Sequence, residues 1–268
     1  MKTEYIHEQG TGRLNEDSIS LNCDMFGVFD GATSLNKKIF KNGKTGGFIA
    51  SGIAQEIFEK NNDSLENLAQ KANSAIYNKM VESDVNISDK VSLWSTSAAV
   101  VKIDNDVIEW LQIGDSLLLF IYKDGSFEIP IKDYDHDSET LSLWKDIAHK
   151  TDKQIFQVMN EQIKKVRTAM NVDYGVLNGE KDFSDFVKSG KENLKDLSHV
   201  LIFTDGLFIP SKEPQNKNNF DEFVDLFLKG GLMEIRNHVR NIEQSDPDCR
   251  VYPRFKTHDD IAAVALTI

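Results

Sequence analysis

Acidic residues recur in this chain where apolar runs give way to polar ones. Glu16-Asp17 precedes 18–21, Asp30-Gly31 ends 26–29, Asp205-Gly206 ends 199–204, and Asp259-Asp260 opens 261–267. A fifth case, Gly114-Asp115, lies between the apolar runs 107–113 and 116–122. An aspartate followed by glycine is a common turn, so each site taken alone reads first as structural. Their recurrence points further. The ends of central strands in a sandwich lie close together, so carboxylates placed there converge. Convergent carboxylates repel one another unless a positive charge sits among them. Hard divalent cations prefer oxygen ligands, and Mg²⁺ or Mn²⁺ suits carboxylates, backbone carbonyls and waters. Two such ions about 3.5–4 Å apart share a bridging water and lower its pKa. The resulting hydroxide is a nucleophile for in-line attack on phosphorus. Glycine after Asp30 lets the backbone approach closely, so the Gly31 carbonyl could join the coordination sphere.

These carboxylates need strands to hold them. β-branched and aromatic residues mark strands at 19–21 and 26–29, followed by a helix carrying Phe48, Ile49, Ile53, Ile57 and Phe58 at helical spacing. A second helix presents Leu65, Leu68, Ala69, Ala72, Ile76 and Met80 on one face, with Ser64 placed as its N-cap. A meander follows over 95–103, 107–113, 116–122 and 126–131, with Asp104-Asn105-Asp106 and Lys123-Asp124-Gly125 as hairpin turns. The polar segment 133–198 reads as mostly helical with irregular parts. A buried strand at 199–204, helices near 220–228 and 232–243, and a last strand at 261–267 complete the chain. Antiparallel hairpins interrupted by helix pairs differ from the β–α alternation of a doubly wound sheet. They predict an antiparallel sandwich with helices outside it. One domain over 1–268 is expected, with 133–198 as a candidate flap or insert.

Composition narrows the chemistry. A chain of 268 residues, 40% apolar and 28% charged, is that of a globular protein. Its formal net charge of -12 argues against nucleic-acid binding, which demands a basic surface. Cys23 and Cys249 form no close pair or Cys/His cluster, which argues against zinc and against a disulfide framework. The first eight residues lack a signal peptide's apolar core, and no apolar run of about 18 residues exists to span a membrane. A cytoplasmic location is expected. Abundant asparagine, lysine and isoleucine suggest an AT-rich genome, bacterial or viral.

The motifs resemble, in order and over nearly the whole chain, those of the metal-dependent protein phosphatases of the protein phosphatase 2C type. Gly12-Arg13-Leu14-Asn15-Glu16-Asp17 resembles the family's Arg…Asn-Glu-Asp segment, and Val28-Phe29-Asp30-Gly31 its Val-Phe-Asp-Gly. Ser95-Thr96-Ser97-Ala98 resembles Gly-Ser-Thr-Ala, and Ile113-Gly114-Asp115-Ser116 resembles Val-Gly-Asp-Ser. Phe203-Thr204-Asp205-Gly206-Leu207 resembles Ser-Asp-Gly-Leu, and Asp259-Asp260-Ile261-Ala262 the closing Asp-Asn-Ile-Ser or Asp-Asp-Ile-Thr. The resemblance implies a four-layer α/β/β/α sandwich of two mainly antiparallel sheets flanked by helices, an α+β fold. It implies a serine/threonine phosphatase with two Mg²⁺ or Mn²⁺ ions per site, or three. Asp30 would bridge two ions and Gly31 would offer its carbonyl. Asp205 and Asp259 would bind one ion. Glu16 and Asp17 would hold coordinated waters or the ions directly, and Asp115 would match the looser ligand of a third. Arg13 would grip the substrate phosphate, its planar fork matching phosphate oxygens. The partner implied is a phosphorylated protein met by a monomer.

Three departures stand out. Ala32 occupies the place where many relatives carry a histidine after Asp-Gly, which leaves the general acid unassigned. Arg13 lies one residue nearer Glu16 than in many relatives, and Trp94-Ser95 replaces a glycine region. Gly43-Lys44-Thr45 fails as a phosphate-binding loop because Lys38 stands where its first glycine belongs. Neither cysteine has an arginine six residues on, which argues against a cysteine-nucleophile phosphatase. Lys37-Lys38 and Lys164-Lys165 read as solvated faces, His199 as structural, and Thr204 as either a strand residue or a partner to a ligand carboxylate. Two rivals share the motif set: a catalytically weak pseudophosphatase that binds phosphoproteins, and a hydrolase of small phosphoesters.

Overall fold

The computed structural model describes residues 1–36, 38–60, 62–132, 135–215 and 219–268, and of Asn42 the backbone alone. Lys37 of the Lys37-Lys38 pair and the first two residues of the polar segment 133–198 lie outside the described residues. One sheet has the order β1(Lys2–Glu8), β12(Ile261–Thr267), β11(Leu197–Phe203), β8(Leu117–Tyr122), β9(Phe127–Glu128). The other runs β10(Lys188–Asn193), β7(Val107–Ile113), β6(Ala98–Asp104), β3(Met25–Phe29), β2(Ser18–Leu21). Neighbouring strands in both pair antiparallel. A short antiparallel ladder joins β4(Gly31–Ala32) to β5(Ser95–Thr96).

Side chains alternate across a strand, so each sheet offers two faces, and here both are buried. Phe26, Val28, Val101, Phe120, Ile202 and Val264 fill the space between the sheets. The opposite face of the second sheet, with Phe29, Val100 and Leu111, packs on α1(Gly46–Lys60) and α2(Leu65–Glu82). The opposite face of the first sheet, with Leu119, Ile121, Leu201 and Phe203, packs on α6(Phe220–Ser245). The result is the four-layer α/β/β/α sandwich. Burial on both faces explains why 117–121 and 200–203 read as unbroken apolar runs rather than alternating ones.

Local signals match their elements. The Ser64 hydroxyl accepts from the Asn67 amide at 3.2 Å and caps α2. Asn105 and Gly125 take positive φ, 54° and 88°, in the two hairpin turns. The two helices expected near 220–228 and 232–243 are the halves of α6, which bends at Gly230-Gly231 where Gly231 has φ 71°. The Gly43-Lys44-Thr45 stretch is a short turn and loop leading into α1.

The polar segment differs in part from the expectation of helices. It supplies α3(Ser138–Ala148), α4(Ile155–Val158) and α5(Asn160–Thr168), and then returns to the sheet as β10. Strand β10 is Lys-Ser-Gly-Lys-Glu-Asn on an exposed edge, with no β-branched residue to mark it. Trp144, Ala148 and Ile155 form a small core of their own, closed by Leu141, Met159 and Phe255. The strand β1 was also silent in the sequence, since Ile6 is its single buried apolar residue. Among the described residues, no helix is long and apolar enough to cross a membrane.

Candidate metal centre

The turn residues at one end of the sandwich gather the acidic positions. Asp30 follows β3, Asp205 follows β11, Asp259 precedes β12 and Asp115 sits in the turn between β7 and β8. With Glu16 and Gly31 they line one cleft of about 370 Å³. Asp17 lies beneath it, buried, where the Thr204 hydroxyl donates to its Oδ2 at 2.8 Å. The structure therefore places seven of the eight sequence-derived site residues at or just under this cleft. The eighth, Arg13, is exposed and does not line it, and its guanidinium lies against the Gly43 turn, 3.3 Å from where a Cβ would stand.

Backbone packing brings these groups together. A Cβ on Gly31 would stand 2.3 Å from the Gly47 carbonyl and 2.5 Å from that of Glu16. Only glycine lets the Asp30 turn pass so close to the start of α1. Gly114 has φ 79°, in the left-handed region that favours glycine, and its backbone lies against Ser97. Asp260 is buried and accepts from the backbone amides of Gly10 and Glu16 at 2.7 and 2.8 Å. It thus fixes the loop before β2 to the start of β12. The Thr33 hydroxyl donates to Glu16 Oε1 and accepts from the Gly47 amide.

The electrostatics are those of a crowded acid site. Burial pushes the Asp30 carboxyl well above the ordinary range, and repulsion from Asp17, Asp115 and Asp259 adds to it. Burial does the same to Asp205, reinforced by Asp30, Asp259 and Asp115. Asp17 is raised by burial and by Asp259, Asp260 and Asp205, against the pull of its Thr204 hydrogen bond. Lys256 moderates the cluster by donating to Asp259 Oδ1 at 2.5 Å. Burial opposes its charge, and the Asp259 carboxylate more than offsets that, so its pKa is raised.

No three His, Cys, Asp or Glu side chains among the described residues close into a finished ligand cage. The donor set nevertheless fits hard divalent ions. It is made of oxygen, it is half-buried around a buried Asp17, and its members repel one another in a way that a cation would relieve. Mg²⁺ typically takes one or two carboxylates and keeps several waters, so a closed protein cage is not required.

Other residues in the cleft carried no sequence motif. His136 stacks on Tyr174, with ring centroids 3.8 Å apart and 2° between planes, and places Nε2 3.8 Å from Asp115 and 3.6 Å from Asp137. Arg167 and Phe156 enter the cleft wall from α5 and α4. The one available clue to Lys256 was its place three residues before Asp259. His258 does not serve the cleft directly. Its Nδ1 faces Glu243 Oε2 at 2.7 Å.

Comparison with known proteins agrees with this geometry. The Protein phosphatase 2C family profile matches residues 7–236, and the chain belongs to that family. Its class is therefore that of the serine/threonine phosphatases. Among solved structures the chain is similar to the serine/threonine phosphatase PstP/Ppp of Mycobacterium tuberculosis, at 14% identity and TM-score 0.60, over 100% of this chain and 98% of that one. It is similar to the phosphatase Stp1 of Staphylococcus aureus, at 18% identity and TM-score 0.59, over 100% and 94%. A third neighbour is the catalytic domain of PstP in complex with two manganese ions, at 14% identity and TM-score 0.57, over 98% and 96%. At these identities the likeness is one of fold. A search of curated protein sequences gives no match.

Proposed function

We propose that this chain hydrolyses phosphoserine and phosphothreonine in proteins with two Mg²⁺ or Mn²⁺ ions held in the acidic cleft. The observation that supports the reading is a set of mutually repelling carboxylates, Asp17, Asp30 and Asp205, delivered to one place by separate strands. Uncompensated buried charge of this kind is costly, and it persists where a cation is to be bound.

Asp30 would hold both ions and Gly31 would offer its carbonyl, Asp205 and Asp259 would hold one ion, and Glu16 and Asp17 would hold coordinated waters or the ions directly. Asp115 would serve a looser third position. The ions, when bound, lower the pKa of a coordinated water and offset charge on the phosphoryl group. The chain's own part is positional. Thr204 orients Asp17 and Thr33 orients Glu16. Lys256 donates to Asp259 Oδ1 and holds that side chain in place. Arg13, exposed outside the cleft lining, would draw an approaching phosphate toward it. Of the candidate flap 133–198, the part 135–187 that precedes β10 would cover the cleft on a single phosphatase domain.

The test is hydrolysis of a phosphothreonine peptide with Mn²⁺, with EDTA, and by the Asp205→Asn variant, together with Mn²⁺ titration by calorimetry. Mn²⁺-dependent release and Mn²⁺ binding, both lost in the variant, are expected. Undiminished turnover in EDTA or in the variant would refute the assignment.

A further inference from the structure

Two long cations reach the cleft from its walls, and they stand in opposite states. Lys256 is matched by a carboxylate, Asp259, at 2.5 Å. Arg167, in the last turn of α5, has as its hydrogen bond among the described residues a contact from Nη1 to the buried Ser95 Oγ, at 3.3 Å. It forms no ion pair with any described carboxylate, although Asp137 feels its field. Asp115 and Asp137 instead face His136.

A guanidinium carries five donors in a rigid fork, and one long hydrogen bond leaves most of them unused. Here that fork lines the same cleft as Asp30, Asp205 and Asp259. A phosphomonoester dianion entering a cleft ringed by carboxylates needs cationic groups besides any metal ion. Arg13 is exposed and outside the lining, and Lys256 is already paired. We propose that Arg167 binds the substrate phosphate from the α5 wall, with Ser95 fixing the guanidinium. The inference rests on the phosphatase reading above. It adds a phosphate-binding residue inside the cleft to Arg13 outside it. It also gives α5 a direct part in substrate binding, beyond covering the site.

The experiment compares wild type with Arg167→Ala, Arg167→Lys and Arg13→Ala, all loaded with Mn²⁺. Inorganic phosphate binding is measured by calorimetry, KM and kcat are measured on a phosphothreonine peptide, and Mn²⁺ affinity is measured in the same calorimeter. Arg167→Ala should weaken phosphate binding and raise KM by about 10-fold or more, the usual weight of a charged hydrogen bond. Mn²⁺ affinity should not change. Arg167→Lys should fall between, because it keeps the charge and loses the fork. That variant also carries the test should the alanine protein not fold. Unchanged phosphate affinity and KM in both Arg167 variants would overturn the proposal. So would a loss of Mn²⁺ affinity equal to the loss of phosphate affinity, which would make Arg167 part of the scaffold. Phosphate binding that depends on Arg167 in a wild type that releases nothing from the peptide would sink the phosphatase reading and uphold Arg167.

Discussion

Glu8, Glu243 and Asp246 are carboxylates withdrawn from solvent, and so are Asp17, Asp30 and Asp205, yet the fold treats the two sets in opposite ways. Arg236 and Arg240 donate to the two oxygens of Glu8 at 2.7 and 3.0 Å. Arg240 also reaches Glu243 at 2.8 Å. Asp246 accepts from Arg254 at 3.1 Å and from the backbone amides of Arg250, Val251 and Tyr252. Each of these acids arrives with its cation or its amides. In the second set, Asp17 has Thr204 for its carboxylate, while Asp30 and Asp205 feel Lys256 only as the weakest of the influences upon them. Arg240, which serves the first set, also donates to the carbonyl of Asp259 beside the second, at 2.7 Å. The first set is built to hold the chain together, and it anchors the loop before β12. The second is short of positive charge by construction, which is the condition for taking up a metal ion.

The sharpest way to break this comparison is to neutralise one acid from each set. Asp205→Asn should lower phosphopeptide turnover by about 100-fold or more, the several kcal/mol that metal chemistry supplies. Its metal-free melting temperature should hold or rise, because one repelling charge is gone. Asp246→Asn should do the reverse, lowering the melting temperature without touching the cleft. Equal destabilisation by the two would erase the distinction. Next in size is Arg254→Leu, which leaves the Asp246 carboxylate its backbone amides but takes away its counter-charge. Breaking a buried pair in this way costs about 3–5 kcal/mol, measurable by urea denaturation. Thr204→Val removes the hydrogen bond to Asp17 and should cost about 1–3 kcal/mol by the same measurement, with weaker Mn²⁺ binding in calorimetry.

The smallest effect concerns Glu8 and depends on pH. Burial opposes its ionisation, but hydrogen bonds from Arg236 and Arg240 outweigh that and hold its pKa below the ordinary 4.5. A carboxylate with a depressed folded pKa contributes stability above its unfolded pKa and loses it as pH falls through the folded one. Glu8→Gln should therefore cost about 1 kcal/mol near neutrality. The gap from wild type should close progressively below pH 4.5. A gap independent of pH would mean that the arginines act on Glu8 through shape rather than charge.

Much of the architecture was legible because burial on both faces of each sheet writes itself as apolar runs, and because turns need glycine and aspartate. The strands over 107–113, 117–122 and 261–267 and the capped helix α2 followed from such local patterns. What escaped were elements whose pairing carries no local mark. Strand β10 is polar along its length and exists because β7 offers it a hydrogen-bonding edge. Strand β1 lies at the other sheet's edge with one buried apolar residue.

The site divides along the same line. Sequence by itself determined which carboxylates stand at strand ends, since hydrophobic patterning sets where strands stop and turn chemistry puts aspartate and glycine there. It could not determine which cations meet them. Thr204 reaches Asp17 across 187 positions, and Arg167 reaches Ser95 across 72. Contacts of that span leave no periodicity to read, because the chain between them is free to vary so long as the layers pack. Tertiary structure alone decided that Lys256 is paired, that Arg13 stands outside the cleft and that Arg167 enters it with one hydrogen bond, to Ser95, among the described residues.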